Sequence, residues 1–476
     1  MTVSQDDVIN WCSQLVEKTP DFPSMDRCLE AIPDLESLVD LPAGTRVLLR
    51  GDTDVVVKED GSIEDDIRLR SLLETLDYGL QRGWVQLVYG HRGRDPKLSL
   101  EPIAAHLQKL LHENKRNAVD VGFIKEWFNP DTGEILDSAA NQIAALPDGA
   151  IVVLENTRKY NSEEFKLEQL LWKAKSSDLA GLAEPLCNYA NGVRDKLARV
   201  HINEGFAASN RDLSSTLVPL TMDRVALGKY IAGELRDHVT RARQSELVIF
   251  SGMKINKLDD LQQILGRGTV RMVIAAGSLA IGLKKAAADL AGEEFEMGLN
   301  GDPSIKKIYI PPERIAQARK MLEEGTDHGV EFVLPIDFIL EDGSASDTIP
   351  PDGAQFDVGP KTVELQAQKV GEFIEFHKNK LDAEGQPAVA FHNGVFGKFE
   401  EDRFSRGTRK FIEQLKRMHD AGVQVYVGGG EGGAALYRYG DESWVTHCFT
   451  AGGTILKALG NKPIPYLKAL YMKSTQ

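Results

Sequence analysis

The chain is written in short apolar runs, each closed by a polar or glycine-bearing turn and followed by a helical period. Residues 45–50, 84–89, 150–154 and 198–202 are near-continuous apolar runs of strand length. That is the signature of strands buried on both faces of a parallel sheet. Between them, Leu69, Leu72, Leu73, Leu76 and Leu80 mark a helix over 67–80, and 102–111 predicts the next. Residues 162–197 read as mostly helical and polar. Leu227, Ile231, Leu235 and Val239 recur four apart and predict one long helix over about 226–243. The strand pattern then restarts at 246–250, 270–274, 330–334, 388–391 and 423–427. This regular βα alternation predicts an α/β chain of two doubly wound, Rossmann-like parallel-sheet domains joined by a long hinge helix. The expected division is an N-terminal extension over 1–31, read as a surface appendage; a first domain over 32–225; the hinge helix over 226–243; a second domain over 244–450; and a helical C-terminal segment over 451–476 that returns towards the first domain. In that last segment Tyr466, Leu467 and Leu470 form a docking face.

In sheets of this kind ligands bind beyond the carboxyl ends of the strands, so the residues that follow each run carry the chemistry. The first half places Asp52 and Asp54, then His91 and Arg94, then Arg158, then Arg211 at successive strand ends. Arg68 opens the 67–80 helix, where a cation opposes the helix dipole and needs another reason to be present. Arginine forks suit phosphate and carboxylate groups, so this half predicts a site for a small, multiply anionic molecule. The second half ends its strands in glycine: Ser251-Gly252-Met253-Lys254, Ala275-Ala276-Gly277, His392-Asn393-Gly394 and Gly428-Gly429-Gly430-Glu431. Glycine turns entering helices admit phosphate to backbone N–H groups. A carboxylate such as Glu431 beside phosphate calls for a cation, most simply Mg²⁺. Gly428, Gly430 and Gly433 also spell G-x-G-x-x-G, but too little chain follows for a dinucleotide fold.

Composition narrows this further. A chain of 476 residues, 42% hydrophobic and 27% charged, is ordinary for a globular protein with more than one domain. A net charge of −15 argues against a general nucleic-acid partner. Cys12, Cys28, Cys187 and Cys448 form no C-x-x-C pair, which fits a reducing, cytoplasmic setting. The longest apolar stretch, 272–283, is too short to span a membrane, and the acidic N-terminus has no secretory pattern.

Six segments occur in one order: Arg50-Gly51-Asp52-Thr53-Asp54-Val55, His91-Arg92-Gly93-Arg94, Leu154-Glu155-Asn156-Thr157-Arg158, Asp357-Val358-Gly359-Pro360-Lys361-Thr362, Phe399-Glu400 with Phe404 and Gly407-Thr408, and Gly428-Gly429-Gly430-Glu431. That order resembles the phosphoglycerate kinase family over roughly residues 32–470. The resemblance implies a usually monomeric, two-lobed glycolytic hinge enzyme. Its first lobe binds 3-phosphoglycerate, its second binds Mg-ATP or Mg-ADP, and phosphoryl transfer between nucleotide and carboxylate follows lobe closure. Carried onto matching positions, Asp52, Asp54, Arg68, His91, Arg94, Arg158 and Arg211 would hold the substrate. Arg68 and Lys254 would be catalytic, facing and neutralising the transferring group. Gly277, Asn393, Glu400, Gly428, Gly429, Gly430 and Gly432 would join Lys254 and Glu431 around the nucleotide. Glu431 would be the magnesium ligand, and Gly452 and Gly453 would form a phosphate loop.

The departures from the family pattern are specific. Asp54 stands for an asparagine and Val56 for a proline. Asn210 stands for the histidine before Arg211, and Lys257 comes one position before the family's second lysine. Ala275-Ala276-Gly277-Ser278 replaces three glycines and a methionine, and His392 replaces a tryptophan. Glu431 is one methylene longer than the family's aspartate, and Gly432 lacks the hydroxyl of the threonine it replaces. Two alternatives follow: the same chemistry on another anionic carboxylate, or a non-catalytic homologue kept as a binding or scaffold protein.

Overall fold

The computed structural model describes the chain apart from residues 1–2, 17–21, 64, 94, 96, 115–118, 130–131, 159–178, 207–212, 253–254, 256 and 461–463. It divides into two compact units, Met1–Asp237 with Lys462–Gln476, and His238–Asn461.

The first unit is built on a six-stranded sheet: β1 (Arg46–Arg50), β2 (Val85–Tyr89), β3 (Val121–Ile124), β4 (Ile151–Leu154), β5 (Val200–Asn203) and β6 (Arg224–Leu227). The order is β3-β4-β2-β1-β5-β6, and every pairing is parallel. The central strands pair level at their carboxyl ends, with Arg50 beside Tyr89 on one side and Asn203 on the other. From β1 the chain winds one way across the sheet and from β5 the other, so their ends flank the switch point where such sheets bind ligands. Two strands were not expected. β3 carries Gly122 and lies half-exposed at a sheet edge, which blurs its apolar run. β6 was absorbed into the predicted long helix, because Leu227 lies four residues before Ile231.

That helix therefore starts at Lys229, not at 226. Arg224–Leu227 pair with β5, and the Glu204 carboxylate accepts the backbone N–H groups of Tyr230 (3.1 Å) and Ile231 (3.0 Å), which fixes the helix start. Ile231, Leu235 and Val239 are buried as their spacing implies, and Glu234–Val239 is wound as a π-helix. The predicted 67–80 helix is two helices, Ile67–Arg70 and Leu73–Gln81.

The described part of residues 1–31 is not a surface appendage. Helix Gln5–Val16 packs on helix Leu179–Gly192, and Met25 and Cys28 are fully buried. Helix Met25–Ala31 packs on the last helix, Pro465–Ser474, whose Tyr466, Leu467 and Leu470 are fully buried against helices 213–216 and 218–221 as well. The 162–197 segment lies outside the described residues up to 178; from Leu179 it is helical.

The second unit repeats the architecture. β7 (Leu247–Ser251), β8 (Met272–Ala276), β9 (Glu331–Val333), β13 (Val389–Asn393), β14 (Gln424–Gly428) and β15 (His447–Cys448) form a parallel sheet in the order β15-β14-β13-β7-β8-β9. The switch point falls between β7 and β13. A small antiparallel sheet of β10 (Phe338–Ile339), β11 (Ala345–Ser346) and β12 (Asp357–Val358) stands apart. Among the described residues no helix is long and apolar enough to cross a membrane.

Candidate functional site

In the first unit, five of the predicted substrate residues meet beyond the ends of β1, β2 and β4. Asp52 is buried, and Arg68 reaches back from its helix to lie 3.6 Å from it. Arg68 also donates to the backbone carbonyl of Asp54 (2.9 Å). This explains a cation in the first turn of a helix: its charge is spent on the β1 turn. The Asp54 carboxylate accepts the N–H of Gly93 (2.7 Å) and faces His91 Nε2 at 3.8 Å. Its extra charge is thus answered by a backbone amide. Arg158 donates to the carbonyl of Gly93 (3.0 Å), tying the β4 turn to the β2 turn. Arg94 and Arg211 lie outside the described residues.

Beneath this rim sits a layer that the sequence reading did not single out. Arg50 is fully buried at the end of β1; it donates to Ser214 Oγ (2.9 Å), to the Gly51 carbonyl and to His91 Nδ1 (3.1 Å). A ring nitrogen that accepts from arginine leaves Nε2 as the N–H of a neutral imidazole, directed at Asp54. Asn156 donates to the carbonyls of Arg92 (2.9 Å) and Leu98 (2.7 Å) and accepts the N–H groups of Arg92 and Arg158. Glu155 accepts Ser99 Oγ and the Leu100 N–H at the start of helix Glu101–Glu113. These side chains hold the loop that presents His91. Burial and the Arg50 charge together push His201, behind Arg50, down to about 3, so it stays neutral. The sequence signal for Asn156 was its place between Glu155 and Arg158; its role is to orient a loop, which no motif reports.

In the second unit the strand ends are level: Phe250 pairs with Asn393, Asn393 with Gly428, and Ser251 with Ala276. Two glycines are required there. Gly429 has φ 93°, and a Cβ on it would lie 2.7 Å from Asn393 Nδ2; Gly394 has φ 100°, and its Cβ would lie 2.3 Å from the Ser251 carbonyl oxygen. Close approach of backbone to backbone thus closes the β7–β13 switch point. Asn393 is buried and donates to the Gly428 carbonyl (2.7 Å). Gly430 and Glu431 then open helix Gly430–Tyr439, with Glu431 exposed in the first turn. Gly432 is not a steric necessity, since a Cβ there would find only ordinary contacts at 3.4 Å and beyond.

Alongside lies a pocket of about 530 Å³, lined by Gly277, Glu400 and Glu431 of the predicted set and walled by Phe356, Val395 and Phe396. Mostly apolar walls with a few polar groups suit a planar, drug-sized ligand. Asn393, Gly428, Gly429, Gly430 and Gly432 adjoin through the strand ends but do not line it. Gly452 and Gly453 open a separate helix, Gly452–Leu459. Lys254 lies outside the described residues. His392 is buried against Phe411 and Phe396, and burial, helped by Lys257, pushes it down to about 4. Asp357, behind the pocket wall, accepts the Gly407 N–H (2.7 Å) and is pushed up to about 7 by burial.

Among the described residues no group of three or more metal-binding side chains occurs. Of the carboxylates Glu400 and Glu431 that line the pocket, Glu431 stands at a helix start. One carboxylate suits Mg²⁺, which keeps waters and takes its remaining ligands from phosphate oxygens. The residues present therefore fit a magnesium ion that arrives with a nucleotide.

The chain combines a parallel α/β architecture, an arginine-lined strand edge in one unit and a glycine-turn pocket in the other, and comparison with known proteins agrees with it. The model of the family described as phosphoglycerate kinase matches residues 38–462. Phosphoglycerate kinase of Clostridium botulinum is 29% identical over 445 residues, spanning 90% of this chain and 96% of its own. The cytosolic phosphoglycerate kinase of Triticum aestivum is 26% identical over 446 residues, spanning 90% and 95%. Among solved structures, phosphoglycerate kinase from Coxiella burnetii superposes with TM-score 0.66 at 22% identity over 93% of this chain and 100% of its own. That from Pyrococcus horikoshii OT3 gives 0.67 at 22% over 93% and 99%. The chain belongs to the phosphoglycerate kinase family, and so to the phosphotransferases.

Proposed function

We propose that the protein catalyses reversible, Mg²⁺-dependent phosphoryl transfer between ATP or ADP and the carboxylate of 3-phosphoglycerate. In the forward sense a carboxylate oxygen attacks the γ-phosphorus, the bond to the bridging oxygen breaks, and ADP leaves as the acyl phosphate, 1,3-bisphosphoglycerate, forms. The observation that carries this reading is the gathering of Asp52, Asp54, Arg68, His91 and Arg158 around one strand edge. Such transfers ask the protein for alignment and charge neutralisation, with little covalent work.

In this reading Arg158, with Arg94 and Arg211, holds the substrate's anionic groups. Asp52 and the neutral His91 orient it. Arg68, already placed by Asp52 and the Asp54 carbonyl, faces the transferring group, and Lys254 neutralises it. Gly277 and Glu400 border the nucleotide, and Asn393, Gly428, Gly429, Gly430 and Gly432 shape the turn beside it. Gly452 and Gly453 contribute a further helix start for phosphate. Mg²⁺, when bound, offsets phosphate charge, and Glu431 would hold it. The reading takes the enzyme as cytoplasmic, glycolytic and monomeric.

The test mixes the protein with MgATP and 3-phosphoglycerate and traps acyl phosphate with hydroxylamine. Hydroxamate above the blank is expected. Silence with 3-phosphoglycerate but signal from another anionic carboxylate moves the substrate and keeps the chemistry. Absence of MgATP binding by calorimetry overturns the reading and leaves a non-catalytic homologue.

A further inference from the structure

Lys257 stands out of step with the family pattern, and its side chain does something that the pattern does not describe. It opens helix Lys257–Leu265 just after β7. Its stem lies flat on Gly252, so closely that a Cβ on Gly252 would meet Lys257 Cδ at 2.7 Å, Cε at 2.8 Å and Nζ at 2.9 Å. Its ammonium donates to the Ser251 carbonyl (2.6 Å) and to Asn393 Oδ1 (2.9 Å). It thereby bridges the ends of the two strands that flank the switch point. The other end of the Asn393 amide donates to Gly428 (2.7 Å). The bonds run in series: lysine, asparagine, glycine turn. An acceptor fixed by a cation leaves the amide one orientation, with Nδ2 toward Gly428. Burial lowers the Lys257 pKa, opposed by the charges of Glu431 and Asp260.

We propose that Lys257 is a positioning residue for the nucleotide: it locks the Asn393 amide, which in turn sets the Gly428–Gly430 turn and the helix start bearing Glu431. This rests on the nucleotide reading of the adjoining pocket. Lys257 acts here through Asn393, without touching the ligand.

The test is a double-mutant cycle on the full chain, with MgADP, AMP and adenosine titrated calorimetrically and melting temperature followed in parallel. Lys257→Met keeps the stem and removes the ammonium. It is expected to weaken MgADP binding at least about tenfold, the scale of one charged hydrogen bond. Asn393→Ala should weaken it similarly, and the double variant should be no weaker than Asn393→Ala alone, since the two residues act in series. Gly252→Ala provides a second route: its methyl group displaces the lysine without removing it, and the same loss is expected. Multiplying losses in the double variant would overturn the proposal. So would unchanged binding in both Lys257→Met and Gly252→Ala. Wild-type protein that binds none of the three ligands would overturn the nucleotide reading itself, a result distinct from those.

Discussion

Asp54 shows how a single residue can look wrong in sequence and be accommodated in structure. Its carboxylate is satisfied by the Gly93 amide, thirty-nine residues away, and by the facing His91. Sequence could show that a negative charge had entered an anion site; it could not show the backbone N–H that answers it. The remaining cost falls on the substrate. Asp54→Asn keeps an acceptor for Gly93 and removes the charge, so KM for an anionic carboxylate should fall on the order of fivefold, from about 1 kcal/mol of repulsion at contact distance in water. Steady-state kinetics checks this; a raised KM would mean that the charge itself recruits substrate. Arg68 carries the stronger expectation. Arg68→Ala should cut kcat by at least about a hundredfold, the loss typical of one preorganised charge stabiliser, with the melting temperature little changed. Near-normal turnover refutes its role. The positions of Asp52, His91 and Arg158 were legible because each lies in the turn that closes an apolar run. Lys257 was not, because its part depends on which way a side chain folds across a glycine.

At the level of elements, strand ends and helix starts decide the chemistry. At Gly429 the turn takes a backbone conformation that only glycine adopts readily. Gly429→Ala should cost roughly 1–3 kcal/mol of stability and weaken nucleotide binding, since the new Cβ pushes on Asn393. Denaturant unfolding with and without MgADP separates the two effects. Glu204 sits at the other critical start, where Lys229 begins its helix. Burial raises this carboxyl from the usual glutamate range to about 7. The folded state then holds its proton more tightly than the unfolded chain, so this group's contribution to stability falls as pH rises from about 4.5 to about 7. Glu204→Gln carries no such dependence. The melting temperature of wild type minus that of the variant should fall from pH 5 to pH 8; a difference that rises with pH overturns the assignment. The same region marks where periodicity misled. Four-residue spacing ran unbroken from Leu227 through Val239, yet pairing with β5 claims Leu227 for the sheet.

Across the whole molecule, each unit has its own sheet and core, so the two are expected to respond separately. Removal of Pro465–Ser474 would strip Tyr466, Leu467 and Leu470 from the first unit's core. At about 1.5–3 kcal/mol for each large apolar side chain, that loss is expected to melt the first unit while the second keeps its transition. Calorimetry resolves this as one lost endotherm, with the remaining one still raised by MgADP. The alternation of runs made two parallel α/β domains legible from the sequence. The burial of Val8, Trp11, Met25 and Cys28 was not, because the apolar pattern there is weak and its partners, such as helix Pro465–Ser474, lie far along the chain.

That distant partner has a bearing on synthesis. The ribosome makes all of the second unit before it makes the helix that completes the first. A domain formed early normally folds as it emerges; here the first unit emerges early yet stays open along the face that Tyr466, Leu467 and Leu470 later cover. The second unit, made without interruption, can reach its folded state while the first still waits. In the cell, the exposed interval that invites chaperones or aggregation therefore belongs to the half of the molecule that is translated first.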